Sequence, residues 1–491
     1  MAAIITEKFR THNARQFIED FSESGQSNYV FIGRPHAWTD DTSPPDPANS
    51  ESEEIAAFED MIALKKVSST DISHGLVRYN HSTTTKYDEW RDNYSASNTT
   101  NITGVSNFFD GRGYIITDEF KVYKCIKTGG SPGSYANSAE KPQHTAGIVL
   151  ESDGYIWKFM YAVTASDVIK FVTNDFIPVK TLGVKAAVVG SGAGGGYGTT
   201  AEDDGSAQWT VENTAVDGAI YNYVVTNAGS GYTLNSGTTV DVAVEGDGSG
   251  AIATLTFASS ALESVTYKDA SSYGTGYKRA SFPTLSSAIT GISGGSGATI
   301  HAVISPIHGH GANPIEEMGG NYAIVNSRLE FAEGTGDFPT DNDFRRIGLI
   351  KNPVQSSDST ISAAPTLTAT NTMTVASATN ISIDDLLTEH ATESVATAKV
   401  RVVSKSANDL KTLPVVNALG EYVAFANDDE VFVNGSGTKS TDVTADGVSK
   451  TANANHPEWT RFTGQILYVE NRGAVSRAAD QIEDIKLIIE M

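Results

Sequence analysis

Between residues 183 and 305 the chain is punctuated by glycine. Short alternating runs such as YVVTNAGSGYT, VDVAVEGDGSGAIATLTF and ITGISGGSGATIHAVI are separated by Gly and Ser clusters. This spacing leaves no room for long helices, because glycine is unfavourable in a helix interior and a period of two marks strands. The runs also repeat. Gly231-Tyr232 in GSGYT corresponds to Gly276-Tyr277 in GTGY, and the GSGA ending at Ala251 to the one ending at Ala298. A period of about 45 residues is one hairpin-plus-hairpin unit used twice, with a degenerate third unit at GSGAGGGYGTT. Residues 183–305 are therefore expected to form an inserted β module.

The rest of the chain also reads mainly as strands. SNYVFIG, GYIITDEFKVYKCIK, SDGYIWKFMYAV and KVRVVSK are rich in Val, Ile, Tyr and Phe and are bounded by turn residues. Two stretches have helical spacing. NARQFIEDF puts Ala14, Phe17, Ile18 and Phe21 on one face with Gly25 as a stop, and SESEEIAAFEDMIALKK places Ser50 and Glu53 at capping-box spacing ahead of Ile55, Phe58 and Ile62. Between them, DDTSPPDPANSESE predicts an extended, proline-rich loop. A Ser/Thr/Ala-rich stretch at 356–455 reads as a second small β insertion. The expected fold is mainly β and multidomain, a β-sandwich or barrel-like core with a few short helices and two inserted β modules; 491 residues exceed what one core normally serves.

Charge narrows the partners. Lys and Arg number 35 against 59 Asp and Glu, a net charge of −24, which repels nucleic acid and anionic membrane. Cys125 is the sole cysteine, so thiolate zinc and iron–sulfur clusters are excluded. The opening MAAIITEKFRTHNARQF shows no secretion signal, and no apolar run approaches bilayer thickness. A soluble protein of a reducing cytoplasm is the expectation.

Motifs that carry chemistry are weak. GSGAGGGYG at 190–198 lacks the Lys-Ser/Thr pair and helix of a phosphate cradle. HGHG places His308 and His310 on one side of an extended segment without a third ligand at a recognisable spacing, and reads as a junction loop. The acidic turns at 202–205, 246–250 and 427–430 lack the ligand order of a calcium loop. No G-x-S-x-G sits in a strand-to-helix context, and Cys125 lies in an alternating strand as a packed thiol. The tryptophans at 38, 90, 157, 209 and 459 are scattered singly, with no stacking platform visible. No catalytic, cofactor or metal residues are expected.

Several blocks nevertheless resemble one family. AAIITEKFRTHNARQFIEDF, YVFIGRPHAW, VYKCI, SDGYIWKFMYAV, GHGANPIEEMGGNYAIVNSRLEF, DFRRIGLIKNP and ILYVENRGAVSRAADQIEDIKLIIEM are similar to the baseplate wedge subunit of contractile-tailed bacteriophages of the T-even and cyanophage type. The resemblance covers residues 1–182, 306–355 and 456–491, and is most specific at Tyr468, Glu470, Asn471, Arg472, Asp480, Gln481 and Glu483. The insertions 183–305 and 356–455 depart from it. It implies a non-enzymatic virion part of the tail baseplate, assembled in the host cytoplasm. Its partners would be a second copy in a homodimer and other wedge proteins, and it would help transmit the signal for sheath contraction. Arg10, Arg34, Trp38 and Arg345 are then interface candidates. The alternatives are a tail-associated module binding host glycan through 183–305, and a glycan-cleaving hydrolase, for which no carboxylate pair stands out. In the C-terminal block QILYV and IEDIKLII read as two strands. The ENRGAVSRAAD between them reads as a connection tied by Glu470, Asn471, Arg472, Arg477, Asp480 and Glu483.

Overall fold

The NYVFIG run has buried side chains on both faces, and it sits where that requires, inside a sheet. In the computed structural model, which describes residues 4–131, 133–182, 207–331, 336–445, 457–478 and 481–491, the chain divides into two units. One comprises Met1–Arg15, Ser73–Ile324 and Ile488–Met491, and the other Gln16–Ile72 and Val325–Leu487. The fold is mainly β, with short helices.

The second unit is built on an antiparallel five-stranded sheet in the order Thr366–Thr368, Met61–Val67, Asn28–Gly33, Asn342–Lys351, Gln465–Arg477. Tyr29, Phe31, Phe58, Leu64, Ile350 and Trp459 form its core, with Trp459 stacked on Phe58 at 6.0 Å. Ser50 caps the helix Glu51–Asp60 by accepting from the Glu53 amide. That helix is shorter than its spacing predicts. From Met61 the chain is a strand, because pairing MIALKKV with Asn28–Gly33 buries Met61–Leu64 on both faces, and tertiary pairing outweighs local propensity. Ile55, expected on the buried face, is exposed. The first helix likewise differs in extent, running Glu7–Glu19 rather than to Phe21.

Residues 371–445 of the same unit close into a barrel in the order Asn371–Val375, Asp409–Pro414, Lys399–Ser406, Leu386–Thr388, Glu430–Val433, Thr441–Ala445. Met373, Leu387, Val402, Leu410, Val431 and Val443 fill it. Closure removes the free strand edges that a small Ser/Thr-rich module would otherwise expose.

In the first unit a meander of Tyr114–Ile116, Lys121–Lys127, Ile156–Ala162 and Ile148–Leu150 encloses Tyr87, Tyr123, Cys125, Tyr155, Trp157 and Phe159. Cys125 is fully buried, which pushes its thiol pKa up. The glycine-punctuated module lies in this unit, and its repeat becomes reciprocal pairing. Tyr232 of the first copy pairs with Gly294 of the second in Ile220–Tyr232 and Gly294–Ile304, while Ala251 of the first pairs with Tyr273 of the second. Each repeated tyrosine lies over a glycine of the other copy. A Cβ at Gly295 would come within 2.4 Å of the Tyr232 ring, and one at Gly248 within 2.4 Å of the Tyr277 ring. The two hydroxyls take matching roles, Tyr232 donating to Leu285 O and Tyr277 to Val244 O. The proposed third copy at 190–200 falls outside the described residues. So do the phosphate-cradle stretch and the acidic turn at 202–205.

Candidate functional site

Two concentrations of buried charge stand out, one in each unit. In the second unit, Arg345 and Arg346 are neighbours on the strand Asn342–Lys351, at a point where its pairing register with Gln465–Arg477 shifts. Arg345 pairs with Asp41 at 2.9 Å and Asp343 at 3.0 Å, and donates to Pro35 O. Arg346, 1 % exposed, spreads its guanidinium over Glu53 at 2.6 Å, Asp60 at 3.4 Å and the Asn471 side-chain oxygen at 2.9 Å. Arg34 reaches Asp60 at 3.5 Å, and its guanidinium lies 3.5 Å from the centre of the Trp38 ring. The Trp38 indole N–H donates to Arg472 O at 3.0 Å. Burial raises the Asp60 pKa against the pull of Arg346 and Arg34, and burial together with Arg34 lowers that of His36 to about 3.

Of the four interface candidates, Arg34, Trp38 and Arg345 thus meet in one cluster with intramolecular partners. Arg10 is elsewhere, in the first unit, beside Glu7 at 3.9 Å and Glu490 at 3.5 Å.

The C-terminal residues differ from the connecting loop read in the sequence. Gln465–Arg477 is one continuous strand paired with Asn342–Lys351, so Glu470, Asn471 and Arg472 are strand residues. Arg477 has a fully buried side chain and grips Glu483 with two bonds of 2.9 Å, while its Nη1 donates to Pro339 O. This joins the end of one strand to the start of Glu483–Glu490. Asn471 donates to Pro45 O and accepts from Arg346. Arg472 is half-buried and 4.0 Å from Glu470. Asp480 lies outside the described residues.

The first unit holds a cluster that the sequence reading missed. Lys124, fully buried on the strand Lys121–Lys127, places Nζ 2.9 Å from Glu317 Oε1. His310 Nδ1 lies 2.6 Å from the same oxygen, and the Gly311 amide donates to Oε2 at 2.6 Å. Glu317 is set by the short helix Pro314–Met318, which Asn313 caps at one end and left-handed Gly319 at the other. Burial opposes the Glu317 charge, but Lys124 and His310 overcome it and bring its pKa to about 2. Burial brings His310 to about 4, leaving it neutral as a donor to Glu317. The Lys124 ammonium also lies 3.9 Å from the Trp90 ring centre. His310 is therefore a fixed, buried residue and no loose junction. The sequence signal was a lysine in VYKCI, where every flanking side chain is buried; its carboxylate lies 193 residues away.

These clusters fix backbone and charge. A charge-neutralised, fully enclosed Lys–Glu–His set offers no approach to a reacting group, and among the described residues no group of three His, Cys, Asp or Glu side chains is placed to hold a metal. Among them, too, no helix is long and apolar enough to cross a membrane. Compared with protein-family models and with curated proteins, the chain matches none.

Proposed function

We propose that the chain is a structural virion protein, a baseplate wedge subunit of a contractile-tailed bacteriophage. It would assemble with a second copy of itself and with other wedge proteins, and help transmit the signal for sheath contraction. One observation carries the reading. The strands that resemble the family come from three separated blocks, 1–182, 306–355 and 456–491, and four of them are consecutive neighbours in one sheet: Met61–Val67, Asn28–Gly33, Asn342–Lys351 and Gln465–Arg477. The stretches that depart from the family hold sheets of their own, the glycine-punctuated module and the closed barrel, and among the described residues only the Thr366–Thr368 strand adds to the edge of the shared sheet. Arg346 supports the same reading, since it ties the first block (Glu53, Asp60) to the second and to Asn471 of the third.

A rigid framework of this kind suits a part that moves as a body between assembled states, with switching located at interfaces. The net charge of −24 favours basic protein surfaces over nucleic acid as partners. The test is mass spectrometry of purified particles followed by cross-linking. The chain is expected in the tail baseplate, cross-linked to itself and to wedge neighbours; its absence from particles would overturn the proposal.

A further inference from the structure

A cleft of about 570 Å³ opens in the first unit, and its lining combines two sequence-distant segments. Trp90, Tyr94, Phe108 and Phe109 come from one, and Asp217, Tyr277, Lys278, Ile304 and Ser305 belong to the glycine-punctuated module, with Pro306 and Ile307 directly after it. Among the described residues the module contributes Tyr277 alone to the rings of this lining. An aromatic platform forms because the fold brings the 90–109 segment against the module's edge.

The rings are held in place before any ligand arrives. Trp90 donates its indole N–H to Ile304 O at 3.1 Å and meets Phe108 edge-to-face at 5.2 Å; Phe108 in turn meets Phe109 edge-to-face at 6.0 Å. The buried Lys124 ammonium sits over the Trp90 ring, and Tyr94 is fixed by donating to Glu89 O at 2.8 Å. Trp90, Tyr94 and Phe109 keep part of their surface open, whereas Phe108 and Tyr277 are buried beneath them. Pre-set aromatic surface lowers the ordering cost of binding.

The polar groups of the lining decide the ligand class. Arg91 is paired with Glu89 at 2.6 Å, Asp92 with His301 at 2.7 Å, and Asp217 with Lys278 at 3.1 Å. Arg91 and Asp217 are offset within the protein and Asp92 is hydrogen-bonded with His301, so the cleft presents hydrogen-bond acceptors and, among the described residues, leaves no unpaired cation to seat an acidic ligand. Ser106, Asn107 and Ser305 add uncharged partners. Partly open rings beside hydroxyl, amide and carboxylate groups suit a molecule with apolar C–H faces and hydroxyl edges, and the volume lies within the range of ligand sites.

We infer that this cleft binds a neutral oligosaccharide, stacked on Trp90, Tyr94 and Phe109 and hydrogen-bonded along the Asp92, Asn107 and Asp217 rim. The inference stands apart from the virion reading, since it rests on the cleft alone.

The test uses the full chain on an array of printed neutral and acidic oligosaccharides, followed by titration calorimetry with the strongest neutral binder. Two variants accompany it. Tyr94→Ala removes a ring and is expected to weaken binding roughly tenfold, the value of one aromatic contact. Ser106→Arg removes no ring and fills the exposed lining, and is expected to abolish binding while the melting temperature stays unchanged. Binding to no printed glycan, binding confined to acidic glycans, or neutral-glycan binding that survives Ser106→Arg would each overturn the inference.

Discussion

Arg346 and Lys124 are both strand residues with almost no exposed surface, yet they are neutralised in different ways. Arg346 divides its fork among Glu53, Asp60 and Asn471, and the two carboxylates keep partly open side chains, 23 % and 14 % exposed. Lys124 has a single carboxylate, Glu317, itself 3 % exposed and shared with His310. The planar guanidinium distributes its charge across partners that water still reaches, so no one partner is indispensable. The compact ammonium concentrates everything on one buried oxygen. Redundancy in one unit therefore stands against a closed set in the other.

Removing one carboxylate from each cluster should have the largest effect. Glu317→Gln leaves Lys124 as a buried charge without its counter-ion and is expected to destabilise by about 3 to 5 kcal/mol. Glu53→Gln leaves Arg346 with Asp60 and Asn471 and should cost about 1 kcal/mol. Denaturant unfolding of both variants measures the difference. Equal losses would show that the arginine cluster has no redundancy.

Acid should weaken both clusters, since His36 beside Arg34 is held to about 3 by burial while His310 of the closed set is held to about 4. His310 and His74 are both held to about 4 by burial, against an ordinary value of 6.5. Below pH 6.5 the unfolded chain takes up protons that these folded side chains refuse, so their contribution is complete above 6.5 and is lost as pH falls toward 4. The loss is on the order of 2 to 3 kcal/mol for each. Glu317, held near 2 against 4.5, adds a further loss below pH 4.5. Unfolding midpoints at pH 7.5, 6 and 5 should therefore fall steadily, and His310→Gln should flatten the profile. A profile unchanged by that substitution would remove His310 from the closed set.

The repeated tyrosines allow a finer cut within the glycine-punctuated module. A Cβ at either Gly248 or Gly295 meets a tyrosine ring at 2.4 Å, but Gly295 alone has a left-handed backbone, with φ of 70°. Both Gly→Ala changes should cost about 1 to 3 kcal/mol from overpacking, and Gly295→Ala more by about 1 kcal/mol for its backbone. Equal melting temperatures would mean that the ring contact alone sets the cost.

What the sequence disclosed follows from how local each constraint is. The Gly-Tyr repeat was legible because a ring lying over a glycine is a demand that the residues themselves spell out. The helix read through to Lys66 failed because the strand from Met61 depends on Asn28–Gly33, which local spacing does not contain. ENRGAVSRAAD looked like a connection because Gln465–Arg477 is an edge strand with mostly half-open side chains, so no apolar alternation marks it. The Lys124–Glu317–His310 set and the aromatic cleft were invisible because each joins two distant segments, Lys124 to Glu317 across 193 residues and Trp90 to Ile304 across 214, and only folding brings them together.

Arg472 gives the smallest expected effect and the clearest correction. Read as part of a connection, Arg472→Ala would lower folding or wedge assembly. In the folded chain the Arg472 side chain is 41 % exposed and 4.0 Å from Glu470, a separation at which a solvent-screened pair contributes less than about 0.5 kcal/mol. What Arg472 does supply is its backbone carbonyl to Trp38, which alanine supplies equally well. Arg472→Ala should leave the melting temperature within experimental error of the parent. Arg477→Ala, by contrast, leaves Glu483 without the two bonds of 2.9 Å and should lower stability by about 3 kcal/mol. A large loss from Arg472→Ala with Arg477→Ala tolerated would reverse the assignment of which arginine fixes the C-terminal strands.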